Sequence, residues 1–411
     1  MNNFQSFGLH PAILDAIQSK GYTQPTPVQA RSIPPSLEGR DVFSLAQTGT
    51  GKTAAFAIPI LNRLYANGAP NTLRVLVLAP TRELAIQIDA SFKIYGAKLK
   101  PKHALLYGGV SQKPQEEALR NKPVIVTATP GRLLDLHAQG FIRFDKIDTL
   151  VLDECDRMLD MGFAHDLKKI VALLPQKRQT LLLSATMPAA IRELAKNYLN
   201  NPVTVEIPSE NVSPVLIEQK FYYVDRTNKV PLMLNLIRDE NIEQALVFTR
   251  TKRGADRLAK VLTAKGVSAG AFHGDKSQSQ RERCLADFRK NKIRLLVATD
   301  VASRGIDIKE LPCVFNYDMP ADAETYVHRI GRTGRAGMEG HAISFRTYED
   351  KDIERDILKQ QGDKVEVVRV HDLLPNGILS DPGPKPPRPD RRITTKNYKS
   401  GNENRRSVSY R

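Results

Sequence analysis

The feature that most constrains the fold of this chain is a short run of Val, Ile and Leu that keeps returning. The first half carries DVFSLA (41–46), RVLVLAP (74–80), HALLYGG (103–109), PVIVTAT (123–129), DTLVLDE (148–154) and TLLLSAT (180–186). The apolar residues are consecutive rather than alternating, which suits strands buried on both faces of a parallel sheet. Amphipathic stretches such as ELAIQIDASFKIYGAKL (83–99) fall between the runs and read as helices. This alternation predicts an α/β, doubly wound, parallel-sheet domain.

The pattern pauses at PSENVSPVL (208–216), where Pro, Ser and Asn cluster as in a linker. It restarts with QKFYYV (219–224), QALVFTR (244–250), IRLLVATD (293–300), CVFNYDM (313–319) and HAISFRT (341–347). The expected organisation is a domain over 1–207, a linker over 208–216, a second α/β domain over 217–375 and a tail over 376–411. At roughly 100–200 residues per domain, the chain length accommodates two such units. Both halves use one strand–helix grammar, as copies of a duplicated domain would, although their sequences alone do not prove duplication. The tail holds nine Lys/Arg against three Asp/Glu and a Pro cluster. It reads as a disordered basic arm that adds phosphate contacts, with Tyr398 and Tyr410 placed to stack on bases. A solvated tail with no specific role is the alternative.

Lys+Arg total 61 against 45 Asp+Glu, a formal charge of +16. That surplus favours a polyanionic partner such as nucleic acid, or serves solubility alone. Cys155, Cys284 and Cys313 show no C-x-x-C spacing, so neither a zinc site nor a disulfide framework is expected, and a reducing compartment suits them. The segment MNNFQSFGLHPAILDAIQSK lacks the basic-then-apolar order of a signal peptide. No window approaches the ~18 apolar residues of a membrane helix. A soluble, cytoplasmic protein without membrane contact is expected.

The run DVFSLA leads into AQTGTGKT (46–53) and then a helix-like AAFAIPILNRL, the strand–loop–helix setting of a phosphate-binding loop. Gly49 and Gly51 let backbone N–H groups wrap an anion, and the new helix adds its positive end. Lys52 reaches the β and γ phosphates; Thr53 offers a hydroxyl to Mg2+. Ala46 stands where the usual pattern has Gly. A chance glycine-rich turn is the bland alternative. DTLVLDECD (148–156) supplies acids at a strand end: Asp153 to orient the metal and Glu154 to polarise an attacking water. Asp156 alone also suits a helix N-cap.

These strings together resemble the DEAD-box ATP-dependent RNA helicases, over residues from about 4 to 370. GYTQPTPVQ (21–29) looks like the Q motif, with Phe4 upstream. PTREL (80–84), GG (108–109) and TPGR (129–132) look like RNA-backbone motifs. DECD (153–156) stands where DEAD would, and SAT (184–186) follows. The second half adds VFTRT (247–251), HGDKSQSQR (273–281), ATDVASRGID (298–307) and HRIGRTGR (328–335). FGLHPAILDAIQSKGY and VLDECDRMLDMGF look most like the bacterial RhlE-type branch.

The resemblance implies two tandem RecA-like domains, ATP and Mg2+ as cofactors, and RNA as partner. ATP binding would fall to Phe4, Tyr22, Gln24 and Gln29, to Ala46, Gln47, Thr48, Gly49, Thr50, Gly51, Lys52 and Thr53, and to Gly305 and Asp307. Phe4 would stack on adenine and Gln29 bond its edge; a core anchor and a helix-surface residue are the plain alternatives. Thr53, Asp153 and, through water, Glu154 would hold Mg2+. Asp156, Ser184 and Thr186 would couple hydrolysis to strand separation. His328 would tie the domains, and Arg332 and Arg335 resemble arginine fingers that meet the γ-phosphate; a solvated basic loop is the alternative. RNA contacts would come from Pro80, Thr81, Arg82, Gly109, Thr129, Pro130, Gly131 and Arg132. The second half would add Thr249, Arg250, Gly274, Gln278, Arg281, Thr299 and Asp300.

Those side chains suit phosphate and sugar rather than base edges, so binding is expected to ignore sequence. Aromatics are 6% with no Trp, against a base-stacking platform. Cys155 replaces the Ala of DEAD, a small substitute expected to leave activity intact, with neighbouring carboxylates blunting its thiol. The expected activity is RNA-stimulated ATP hydrolysis that closes two domains on RNA and opens short duplexes or remodels RNA–protein complexes. The chain is expected to act as a monomer, with ribosomal or RNA-decay proteins as candidate partners. An ATP-gated RNA clamp or scaffold without productive unwinding is the alternative, and a DNA helicase or other phosphate-loop NTPase a third reading.

Overall fold

The computed structural model describes residues 3–47, 49–66, 71–207, 217–303, 311–334 and 339–368. Thr48, Gly305, Asp307, Arg335, the 208–216 linker and the 376–411 tail lie outside the described residues.

Two parallel seven-stranded sheets follow one another. The first comprises β1 (Val42–Leu45), β2 (Val75–Leu78), β3 (His103–Leu106), β4 (Ile125–Ala128), β5 (Thr149–Leu152), β6 (Gln179–Ser184) and β7 (Val203–Glu206). The second comprises β8 (Ile217–Tyr223), β9 (Ala245–Phe248), β10 (Ala269–Phe272), β11 (Leu295–Ala298), β12 (Cys313–Asn316), β13 (Gly340–Arg346) and β14 (Val365–Val368). The orders are β3-β4-β2-β5-β6-β1-β7 and β10-β11-β9-β12-β13-β8-β14. Shifted by seven, the two are identical, which is the wiring expected of a duplicated unit.

Helices cover both faces of each sheet, and this is why the apolar runs are continuous. In β2, Val75 and Val77 join one buried cluster while Leu76 and Leu78 join the other. Alternate residues of β9 divide likewise, Ala245 and Val247 from Leu246 and Phe248. Among the described residues no helix is long and apolar enough to cross a membrane.

All strands within a sheet run parallel, so the loops at their carboxyl ends gather along one edge, where open α/β sheets bind ligands. β5, β6 and β1 are neighbours. The glycine loop after β1, the acids after β5 and the SAT segment ending β6 are therefore side by side.

Candidate active site and interdomain cleft

The loop after β1 turns through Gly49 and Gly51, each at φ +94°, a left-handed conformation that suits glycine. Lys52 opens the helix Lys52–Ala66 and is buried; its Nζ donates to the Ala46 carbonyl at 2.8 Å. The GYTQPTPVQ segment clips this loop. Thr26 Oγ1 donates to the Thr50 carbonyl at 2.8 Å, and Gln29 Nε2 donates to the Gly51 carbonyl at 3.3 Å. Gln29 Oε1 meanwhile accepts from Thr26 N at 3.0 Å, capping the helix Pro27–Leu37. A Cβ at Gly51 would meet the movable end of the Gln29 side chain, so it is the φ of +94° that calls for glycine there. Gln47 and Thr53 stand half-buried around the loop.

Asp153 is buried at the end of β5, and its Oδ1 accepts from Glu154 N at 2.9 Å. Burial pushes its carboxyl up to about 7 against the pull of the Lys52 ammonium, with the Glu154 charge adding to the rise. A desolvated carboxylate beside a hydroxyl-bearing loop is a hard-oxygen donor set, and it fits Mg2+. Glu154 sits at φ +52°, ψ +52°, unusual for a non-glycine residue. Its Oε2 accepts from Arg157 Nη1 at 2.7 Å, with both residues buried. Arg157 has no part in the sequence-derived set; a charged residue three positions from an acid at a helix start was the available signal.

Asp156 lies inside the helix Cys155–Asp160 rather than capping it. Its Oδ2 accepts from Ala185 N at 3.0 Å, Thr186 N at 2.9 Å and Thr186 Oγ1 at 3.1 Å. Ser184 does not reach Asp156 directly: its hydroxyl donates to the Thr186 carbonyl at 2.7 Å. Cys155 is fully buried, and burial followed by the Asp156 and Asp153 charges drives its thiol well above the ordinary range.

Phe4 is 3% exposed, packed in the core edge-on to Phe7. Tyr22 is half-exposed, and Gln24 is exposed.

In the second domain Arg332 is buried after the helix Ala323–Ile330, and its carbonyl accepts from Leu311 N at 3.2 Å. His328 is exposed on that helix. Arg329, absent from the expected set, is the organiser: its Nε and Nη2 donate to Asp300 at 2.6 and 2.8 Å, and its guanidinium lies 4.8 Å over the Phe248 ring. Asp300 thus serves as the counter-ion of Arg329.

A cleft of about 990 Å³ runs between the domains. Pro80, Thr81, Arg82, Thr129, Gly131 and Arg132 line one wall; Arg250, Gly274, Arg281 and Thr299 line the other. The remaining expected contacts stand back from it. Thr249 is buried, its hydroxyl bonded to carbonyls. Pro130 is buried as the first residue of the helix Pro130–Ala138. Gln278 is buried and donates to Glu282. Gly109, at φ +76°, supports the Arg82 guanidinium, which any Cβ there would strike. The cleft also recruits Met161, Phe163, Lys252 and Arg253, so one aromatic ring does stand in it. Arg281 closes the floor: its guanidinium is 2.7 Å from Glu83 of the first domain, both buried, and 5.0 Å over the Phe272 ring.

Two RecA-like α/β domains, with a phosphate loop and adjacent acids in one and buried arginines in the other, define a two-domain nucleic-acid-dependent ATPase. Family models agree: DEAD/DEAH box helicase matches residues 26–194 and Helicase conserved C-terminal domain matches 228–337. The chain is 44% identical over 347 residues to the DEAD-box ATP-dependent RNA helicase CshA of Geobacillus kaustophilus, spanning 84% of this chain and 74% of that one. It is 43% identical over 379 residues to the DEAD-box ATP-dependent RNA helicase RhpA of Helicobacter pylori, spanning 92% and 76%. The structure of S. cerevisiae Dbp5 bound to RNA and ADP BeF3 superposes with a TM-score of 0.80 at 33% identity, over 90% of this chain and 96% of that one. A Dbp5 variant bound to nup159, a gle1 variant, IP6 and ADP gives 0.60 at 32% identity, over 88% and 95%. The present domain arrangement is thus more similar to the first state than to the second. The chain belongs to the DEAD-box ATP-dependent RNA helicase family.

Proposed function

We propose that this enzyme uses ATP to close its two domains on an RNA backbone and so opens short duplexes or remodels RNA–protein complexes. The single observation that carries this reading is the interdomain cleft, whose two walls supply hydroxyls, backbone and guanidinium groups suited to phosphate and sugar. ATP phosphates would enter the Gly49–Thr53 loop. Lys52, now on the Ala46 carbonyl, would turn to the β and γ phosphates. Thr53 and Asp153 would hold Mg2+, which neutralises phosphate charge when bound. Glu154, aimed by Arg157, would orient the attacking water. Arg332 and Arg335 would approach the γ-phosphate from the second domain, so that closure depends on it. Loss of that phosphate removes their anchor and the clamp opens. Gln29 would exchange its Gly51 contact for the adenine edge, and Gly305 and Asp307 would meet the nucleotide from the second domain.

The two working domains would span 1–207 and 217–375. The narrower likeness to the RhlE-type branch rests on FGLHPAILDAIQSKGY and VLDECDRMLDMGF. Three unpaired cysteines support a reducing, cytoplasmic setting. Phosphate release measured with RNA and with DNA of one base sequence tests the reading. Stimulation by RNA alone is expected; equal stimulation by both would assign the cleft to nucleic acid generally, and none by either would remove it as the effector site.

A further inference from the structure

The helix Lys252–Ala264 follows β9 and begins at the cleft, capped by Thr251, whose Oγ1 accepts from Gly254 N at 3.0 Å. Lys252 and Arg253 line the cleft. Arg257 and Lys260 continue outward, and all four are exposed. Residues 253, 257 and 260 are spaced by four and three, so they form one row along about 10 Å of helix axis. The opposite face packs Ala255, Leu258, Ala259 and Leu262 into the core.

The row has no internal neutralisation. The helix holds one acid, Asp256, which turns aside to Lys276 at 2.7 Å and His273 at 3.1 Å. Lys252 is held by Asp275 at 2.6 Å. Among the described residues no acid stands at ion-pair distance from Arg253, Arg257 or Lys260. The matching helix of the first domain, Arg82–Tyr95, is different: it carries Glu83 and Asp89, and Lys93 pairs with Asp89 at 2.7 Å. The next helix of the second domain, Gln278–Arg289, also mixes arginines with Glu282 and Asp287.

We propose that Arg253, Arg257 and Lys260 form a track for the RNA segment that emerges from the cleft, taking its phosphates beyond the part the two domains clamp. Cations free of protein counter-ions, continuous with a phosphate-suited cleft and spread along an exposed helix, match a polyanion strand without regard to its sequence. The track belongs wholly to the second domain, so it holds RNA whether the clamp is closed or open, and retains the strand after hydrolysis. This inference rests on the reading of the cleft as the RNA site.

The test uses the full chain and RNA homopolymers of increasing length, with affinity measured across salt and RNA-stimulated hydrolysis measured alongside. Arg257→Glu with Lys260→Glu should leave affinity and stimulation by the shortest clamp-filling oligomer within about twofold. For longer oligomers the wild type should gain affinity with length and the variant should not, ending about 10-fold weaker, with a salt slope smaller by about 1.4, two single-strand phosphate contacts' worth. Arg257→Gln with Lys260→Gln should show the same length dependence at smaller size, guarding against a folding artefact. Lys290→Glu with Lys292→Glu, an equal charge change on exposed residues past the far end of the helix Gln278–Arg289, should behave as wild type. Equal losses at every length, no loss at any length, or the same loss in the Lys290/Lys292 variant would overturn the track. Failure of the wild type to bind or respond to any RNA would instead overturn the cleft reading, and the track with it.

Discussion

The two halves of the molecule share one strand order, yet the loops at their strand ends carry different side chains. After β1 comes a glycine loop and then Lys52; after the equivalent β8 comes VDRTN (224–228), which has no glycine, and then Lys229, which also opens a helix but donates to the Tyr317 carbonyl and Asp318. After β5 come Asp153 and Glu154; after β12 come Tyr317 and Asp318, and Asp318 accepts from Lys229 and the Arg250 backbone rather than facing a phosphate loop. The helix after β2 and the helix after β9 even start alike, on Thr81 and Thr251 side-chain caps. The fold thus sets where a loop goes and leaves its chemistry free. On the proposed reading, the phosphate loop lies in one copy and the arginines in the other, so that hydrolysis would require both.

That division can be broken most severely at its two poles. Lys52→Ala or Glu154→Gln in the first domain should reduce RNA-stimulated phosphate release by about 10³-fold. Arg332→Ala in the second should do nearly as much while nucleotide affinity, measured by equilibrium titration, stays near wild type. Retained turnover in Arg332→Ala would mean that the first domain works alone.

Acid should separate the copies next. His103 on β3 is buried with Asp89 Oδ1 at 3.1 Å from Nδ1 and Thr127 Oγ1 at 2.9 Å from Nε2, where the second domain has Ala269, Ala259 and Val297. Burial lowers His103 to about 4, opposed by Asp89. The unfolded chain, with an ordinary imidazole near 6.5, therefore binds more protons between those values. His103 should withdraw up to about 3 kcal/mol from the first domain as pH falls from 6.5 to 4, offset by Asp153, whose raised carboxyl takes up its proton earlier in the fold than in the unfolded chain. Unfolding of the first domain in wild type and in His103→Gln across that range reads the His103 share, and a difference between the two that does not change with acid would contradict it.

The join between the copies should yield a smaller effect. In a double-mutant cycle, Glu83→Gln and Arg281→Gln should couple by about 2 kcal/mol in RNA affinity with ATP bound, and by little without nucleotide. Additive losses would show that the pair does not bridge the closed state. Smallest, Arg157→Gln should lower the hydrolysis rate about 10-fold at unchanged ATP affinity, and Arg157→Lys should recover part of it.

The contrast between strands shows what was legible in the sequence. Strands inside each sheet are apolar on both faces and so stand out as runs. β7, β10 and β14 escaped notice because VTVE and VEVV alternate with polar residues and AGAF buries little side chain. β7, β10 and β14 are edge strands. The phosphate loop and the acids were legible because each is one contiguous string at a strand end. What depended on distant packing was not: the Glu83–Arg281 pair spans the two domains, Asp300 is claimed by Arg329, and Phe4 is buried by helices that fold over it. Glu154's left-handed backbone likewise has no signature in a non-glycine residue.

The claim beneath all of this is that triphosphate held by the first domain recruits guanidinium groups from the second. The most direct measurement is a structure of the full chain with RNA, Mg2+ and ADP-BeF3. The account predicts Arg332 and Arg335 within hydrogen-bond reach of the beryllium fluoride, with the Glu83–Arg281 pair intact. Domains closed on RNA with both arginines turned away from it would contradict the account.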